Sequence, residues 1–375
     1  MCNKGIVGLY CLCLLIFGCT KPSSNLLAVE SSIAYETEIL ELEEIPMPLR
    51  FSTYSKPIMF RDKEYLGRIN HFTNTLDIFD LANGDFWKRV PEIDTGEMFL
   101  SLREEPKIKG FVQISPNEIL LLNEYFLGKN LIYNMETGTT RTRSFTNKAV
   151  RAIVYLTNPV VQIGNKLFYT PDPLYEPNEG IADEWLNWEA ALNIMEGSTE
   201  GFDIRLPAIY QGAVVCPSMI IPSRCLGKNN NLVYSFPLTD SVVAVGLGGK
   251  NRAYYIENKM FSVGAGKKNF GSLQECHIKY ATTALWESIY YDPYRSLYYR
   301  FFSLPNGNKN SVYDKNGGFV VLSEDFNPLG WFEIRYPEFG QEIFVAKEGL
   351  FISREQTNAP AGNDNVKFLI IKFAT

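Results

Sequence analysis

The chain has 375 residues, 46% hydrophobic and 21% charged, with 21 Tyr and 25 Phe. That is length for a large core, and neither disorder nor a multi-span membrane protein fits those proportions. A formal net charge of −6, with Lys and Arg scattered, removes the basic face a nucleic-acid binder needs, so no nucleic acid is expected among the partners.

Residues 1–18 read as an export signal. Lys4 stands ahead of an apolar stretch from Gly5 to Phe17, followed by Gly18 and Cys19. The stretch is too short to span about 30 Å of hydrocarbon as a helix, but it suits a signal-peptide core. Ile16-Phe17-Gly18-Cys19 resembles a lipobox, with an aliphatic residue at −3 and a small one at −1, although Phe17 is bulky for −2. Cys19 is therefore the expected lipidation site and membrane lipid the first expected partner; an ordinary secretory leader with an incidental Cys is the alternative. Each buried CH₂ of the lipid adds about 0.8 kcal/mol of membrane affinity. Residues 19–35 read as a lipidated tether and 36–375 as one folded domain outside the cytoplasm, the periplasmic face being favoured over the cell surface.

From Glu38 the segment up to Ile45 alternates polar and apolar residues like a strand. Beyond it one phrase recurs: an apolar run, a polar turn usually holding Gly, then a second run. It starts at Leu76, Asn130, Asn193, Ala253 and Phe319, a period of roughly 55 to 65 residues, within the range of propeller arrays with loop insertions. Further strands are expected at Ile343, from Gly349, and over 366–373. The expected fold is therefore all-β: a six-bladed β-propeller, closed by pairing of the N- and C-terminal strands so that no sheet edge is left bare. Seven blades, or a pair of β-sandwich domains, are the alternatives.

One short helical insertion is expected over 181–192, where Ile181, Trp185, Trp188 and Leu192 share a helical stripe. Trp185 and Trp188 are candidate ligand-binding residues, as a stacking platform for a sugar or peptide; packing onto the ring is the plainer role. Seven Cys occur in the chain, of which Cys216, Cys225 and Cys276 lie well beyond the signal. An oxidising envelope permits a Cys216–Cys225 disulfide. A zinc site from these three and His277 matches no zinc spacing, because adjacent Cys276 and His277 on a strand would face opposite ways. No metal and no cofactor is expected. Gly246-Leu-Gly-Gly-Lys250 lacks the Walker A spacing and reads as a hairpin between Ser241–Val245 and 252–256.

The phrase Tyr290-Tyr-Asp-Pro-Tyr-Arg-Ser-Leu-Tyr-Tyr-Arg-Phe-Phe302 resembles the Bacteroidetes lipoproteins grouped as domain of unknown function 4221. The resemblance extends over the mature chain and implies a propeller-like lipoprotein; it implies no catalytic residue. On the second strand of this phrase Leu297, Tyr299 and Phe301 share one face and Tyr298 and Arg300 the other. Arg295 and Arg300 are the remaining candidate ligand-binding residues: Arg300 meets an anion if its strand lines the channel, or else pairs with a nearby carboxylate.

With only His71 and His277, His-rich metal sites are excluded, and Gly-x-Ser-x-Gly is absent, which weakens an esterase reading. Trp87 ends a partial Asp-box and reads as core. The expected function is a binding or scaffold module for an envelope protein, peptide or glycan. The alternative is a glycosidase with paired carboxylates in the channel.

Overall fold

The computed structural model describes residues 32–44, 54–71, 73–90, 108–123, 129–145, 152–171, 187–210, 217–246, 251–256, 261, 263, 273–305, 315–334, 342–354 and 366–373. They build six antiparallel sheets arranged as a six-bladed β-propeller. The outermost strand of the last blade is β1 (Tyr35–Glu41). Blade one is β2 (Ser55–Phe60), β3 (Lys63–Asn70), β4 (Thr75–Asp80) and β5 (Phe86–Val90). Blade two is β6 (Ile108–Ser115), β7 (Glu118–Asn123), β8 (Lys129–Asn134) and β9 (Thr140–Ser144). In blade three the inner strand is split into β10 (Ala152–Ile153) and β11 (Val161–Ile163), followed by β12 (Lys166–Pro171), β13 (Asn187–Asn193) and β14 (Thr199–Arg205).

A single helical turn, α1 (Pro217–Ile220), precedes blade four: β15 (Ser223–Leu226), β16 (Leu232–Ser235), β17 (Ser241–Val245) and β18 (Asn251–Tyr255). Then come α2 (Leu273–Ala281) and blade five, made of β19 (Leu285–Asp292), β20 (Leu297–Ser303), β21 (Gly317–Ser323) and β22 (Pro328–Ile334). Blade six is β23 (Ile343–Ala346), β24 (Gly349–Arg354), β25 (Lys367–Phe373) and the N-terminal β1. The expected closure is present: β1 runs antiparallel to β25, with Leu40 opposite Phe368 and Glu38 opposite Ile370.

At Leu76, Asn130, Asn193 and Phe319 the recurring phrase is the turn between the two outer strands of a blade; the copy expected from Ala253 falls on the outer strand β18 itself, after the 246–250 turn. Asp80, Asn134 and Asn193 each end a strand and turn their side-chain oxygen back on the main chain, accepting from the amides of Ala82, Glu136 and Met195 at 3.0 Å. Four residues on, Gly84, Gly138 and Gly197 return an N–H to the carbonyls of the same Asp or Asn at 2.8 to 2.9 Å, each with positive φ. An Asx turn closed by a left-handed Gly has few alternatives, which is why it is visible as a repeat.

The apolar core lies between blades. Leu66 and Phe79 of blade one meet Phe351, Phe368 and Ile370 of blade six. Val233 and Val242 of blade four meet Trp286 and Phe302 of blade five. Middle strands are covered on both faces, so β4, β16 and most of β7 are buried throughout and read as unbroken apolar runs rather than alternation. Outer strands such as β9 carry exposed polar residues instead.

The helix expected over 181–192 is corrected. Residues 187–193 are strand β13, hydrogen-bonded to β12 on one side and β14 on the other; residues 181–186 lie outside the described residues. Pairing on both edges and burial of Ala190, Ala191 and Leu192 override the helical propensity of Ala, Glu and Leu. The longer helix is α2, which holds Cys276 and His277, so these two are helical neighbours rather than opposite faces of a strand.

Gly84 has φ of +82°, and a Cβ there would lie 2.0 Å from the Glu41 carbonyl oxygen at the ring closure. Gly84→Ala is expected to lower unfolding free energy by about 2 kcal/mol or more in urea titration. Wild-type stability in that variant would refute the closing role of this turn.

Candidate functional site

The meander fixes which ends of the strands carry which connections. At one end of the ring all turns are tight, two to five residues long, from 61–62 in blade one to 347–348 in blade six. Every connection between strands longer than five residues leaves from the other end: 42–54, 91–107, 145–151, 172–186, 206–222, 256–284, 304–316, 335–342 and 355–366. The exception is 154–160, an interruption within the inner strand of blade three.

Buried charge collects at the long-connection end. Arg68 on β3 forks onto Glu342, ahead of β23, with Nε to Oε2 at 2.9 Å and Nη2 to Oε1 at 2.5 Å. The Ser55 hydroxyl donates to the same carboxylate, and the Ser353 hydroxyl accepts from the Glu342 amide at 3.1 Å. Arg224 on β15 pairs with Glu189 on β13, both fully withdrawn from water. Its Nε also donates to the Pro159 carbonyl at 3.1 Å. Burial holds Glu189 above the ordinary carboxylate range, while Arg224, Thr170 and Tyr234 draw it back.

A third carboxylate, Glu287 on β19, accepts from the Tyr280 hydroxyl at 2.9 Å and from Ser303, with Lys315 Nζ 3.8 Å away. Lys315 also donates to the carbonyls of Tyr280 and Thr283 at 3.1 and 2.9 Å, fastening the end of α2 to blade five. Lys56 on β2 lies at the same end and is half-buried; desolvation, with Arg224 as a like charge, lowers its ammonium to about 8.

The residues singled out from sequence do not assemble into this site. Arg300 is correctly placed on the Tyr298 face of β20, but that face packs between blades four and five rather than lining a channel. It neither meets open space nor pairs with a carboxylate. Its Nε donates to Ser235 Oγ at 2.8 Å, and its Nη atoms to the carbonyls of Thr239, Asp240 and Ser241 at 2.7 to 3.3 Å. The guanidinium lies 3.9 Å from the Trp286 ring centre. Arg295 sits at the tight-turn end, bonded to Asp292 and to the carbonyls of Lys347 and Glu348. Buried Asp292 explains the conspicuous Asp-Pro phrase: it accepts from the amides of Tyr294 and Arg295 and from the Tyr299 hydroxyl at 2.8 to 3.0 Å.

Trp188 falls on β13, its side chain outside the described residues, and Trp185, Cys19 and Cys216 lie outside them altogether. Cys225 is a free thiol rather than half of a disulfide, packed against the core between blades four and five; burial pushes its pKa well up. Trp87 packs on Tyr65, ring centres 4.4 Å apart. Among the described residues, no group of three or more His, Cys, Asp or Glu side chains is placed to hold a metal ion. Sequence reasoning missed Lys56, Arg224, Glu189 and Glu342. The available signal was a charge inside an apolar strand, as in Trp188-Glu189-Ala190.

No protein-family model and no curated protein matches the sequence. Solved structures match its fold. A Bacteroides vulgatus protein of the domain-of-unknown-function 4221 family superposes with a TM-score of 0.75 at 21% identity, over 92% of this chain and 98% of that one. A Bacteroides fragilis protein assigned as exported superposes with a TM-score of 0.53 at 10% identity, over 91% and 96%. Both likenesses are of fold, and the first agrees with the resemblance drawn from the phrase at Tyr290.

Arg300→Met leaves three carbonyls and Ser235 without their donor, and is expected to cost about 3 kcal/mol or more in urea unfolding. Arg300→Lys, which lacks the fork, should recover only part. Lys56 and Lys315 are each lowered by burial from 10.5 to about 8. A depressed lysine supports the fold fully above pH 10.5 and loses that support as pH falls through about 8. The melting temperature is therefore expected to climb from pH 8 to 10, and less steeply in Lys56→Met; equal slopes would remove Lys56 from this account.

Proposed function

We propose that this chain is an envelope-anchored binding or scaffold propeller whose recognition surface is the long-connection end of the ring. The observation that carries the reading is the segregation of the long connections, the 154–160 interruption of one inner strand apart, to one end, with tight turns at the other. Loops on a rigid ring vary without disturbing the frame, which suits recognition of a protein, peptide or glycan. Lipid on Cys19 would hold the ring at a membrane on the non-cytoplasmic side, the periplasmic face being favoured, and a fold shared with a Bacteroides fragilis protein assigned as exported is in keeping with that address. Among the described residues no helix is long and apolar enough to cross a membrane.

The glycosidase alternative needs one carboxylate ready to protonate a leaving group and a second facing it across the sugar. Glu342, Glu189 and Glu287 each have a cation of their own, which favours binding over hydrolysis.

Photo-cross-linking from the native membrane tests the reading. A probe on Thr73→Cys, in the 71–74 turn at the long-connection end, is expected to trap a partner identifiable by mass spectrometry or on a glycan array. A probe on Asn83→Cys, at the tight-turn end, is expected to trap none. The reverse pattern, or glycoside turnover without any partner, overturns the proposal. Cys19→Ser is expected to abolish radiolabelled-palmitate incorporation and release the protein from the membrane fraction; retention of both would remove Cys19 as the anchor.

A further inference from the structure

Blade three breaks its inner strand where the other five blades do not. Ile153 stands opposite Thr170 and Val161 opposite Phe168, so the seven residues 154–160 leave the sheet where Tyr169 alone separates the two pairings. Ordering them costs conformational entropy, and the blade gains no ladder bonds in return. The segment is nonetheless fixed at its ends and in its middle. Val154 and Val160 are buried. Val154 stands so close to β6 that a Cβ on Gly110 would lie 2.6 Å from its Cγ1 and 2.9 Å from the Tyr54 ring. Arg224, on the inner strand of blade four, donates its amide to the Thr157 carbonyl at 3.0 Å and its Nε to the Pro159 carbonyl at 3.1 Å. Asn158 donates Nδ2 to Thr170 Oγ1 at 3.0 Å, and Arg224 and Thr170 both donate in turn to Glu189. One buried carboxylate thus holds two consecutive residues of the segment, each through one intermediary.

β15 is bonded to a neighbouring strand on one side only, so the edge on which the Arg224 amide meets Thr157 is the one that faces the axis. The segment therefore lies at the axis, reaching from blade two to blade four. It is at the long-connection end, since Pro171, opposite Ala152, is the last residue of β12 before 172–186. Tyr155 is 56% exposed there, and among the described residues no hydrogen bond or ring contact occupies its side chain. The main chain beside it is spent: the carbonyls of Tyr155, Thr157 and Pro159 accept from the Asn158 amide, the Arg224 amide and Arg224 Nε. That leaves no run of carbonyls for an added peptide strand. None of residues 154–160 is charged, and the ion pair beneath them is closed on itself. We propose that 154–160 is the contact loop of the recognition face, and that Tyr155 stacks on the apolar face of a pyranose in a neutral glycan. A ring on a firmly held segment offers contact area at low entropic cost, and its hydroxyl is free to share a bond with a sugar hydroxyl. The inference rests on the reading of the long-connection end as the recognition surface and selects the glycan among the partners that reading allows.

The test is an array of neutral and acidic oligosaccharides probed with the full chain, followed by calorimetry with the neutral oligosaccharides retained. The unaltered protein is expected to bind neutral members. Tyr155→Ala is expected to weaken that binding about tenfold, the loss of one stacked ring, while Tyr155→Phe keeps most of it. Because the ring is exposed, both variants are expected to melt with the wild type. Hydroxyl-radical footprinting of the unaltered protein gives a readout independent of any variant: saturating oligosaccharide should slow modification of Tyr155. Several results would each overturn the inference: no oligosaccharide bound, acidic members alone bound, equal affinity in Tyr155→Ala, or Tyr155 modified as fast with ligand as without. A clearly lowered melting temperature in Tyr155→Ala would assign the ring to packing and overturn it as well. A protein or peptide trapped by the probe at Thr73, with no glycan bound, would keep the recognition surface and remove the sugar, so the two readings fail separately.

Discussion

Antiparallel pairing of Tyr35–Glu41 with Lys367–Phe373 is the constraint on which the ring depends. Without it blade six would end on the bare edge of β25, and the interface that joins Phe351, Phe368 and Ile370 to Leu66 and Phe79 would lack Leu40 and Leu42. A propeller has no single central core: each sheet is covered only because its neighbours stand beside it. Opening the ring at one blade therefore exposes apolar surface on two. Closure joins residues more than 300 positions apart, which makes it the most non-local pairing of the ring. Ion pairs between Glu41 and Lys367 and between Glu38 and Lys372 lie along the joined strands, at partly exposed positions where such pairs add little.

The arginines do a different job from the apolar interfaces. Burial of Leu, Val and Phe between blades is strong but non-directional, and tolerates sliding of one sheet over the next. Arg300 ties blade five to the main chain of blade four, Arg224 ties blade four to Glu189 of blade three, and Arg68 ties blade one to Glu342 before blade six. Desolvating these groups offsets most of what their pairing returns. Their geometry nonetheless admits one relative position of the blades.

Much of the frame was legible in the chain because its turns are chemically specific. Asp80 with Gly84, and Asn134 with Gly138, mark the outer hairpins of blades one and two; the same chemistry in blade three runs from Asn193 to Gly197, although the strand before it was mistaken for helix. The stripe formed by Trp185, Trp188 and Leu192 has helical spacing, but a strand buried on both faces needs no alternation, so periodicity could not discriminate there. The phrase at Tyr290 was conspicuous for a structural reason, the Asp292 turn, and Arg295 and Arg300 drew attention through it while making contacts within the ring. Lys56, Arg224, Glu189 and Glu342 were not legible as a group, since they come from four blades and 286 positions of chain separate the first from the last.

Local physics in the sequence alone pointed to strand content, the repeated hairpin and the pairing of the two ends, because turn chemistry and sheet edges act over a few residues or demand a partner wherever one exists; six blades rather than seven was decided by the closed ring. The export-type leader ending at Cys19 is likewise a local pattern. Only the tertiary structure decided which charged side chains are fastened to which, since burial and pairing across blades are properties of the closed ring. The same holds for the two unlike faces: a meander sends alternate connections to opposite ends, and the long ones acquire a common side only when six sheets stand around one axis.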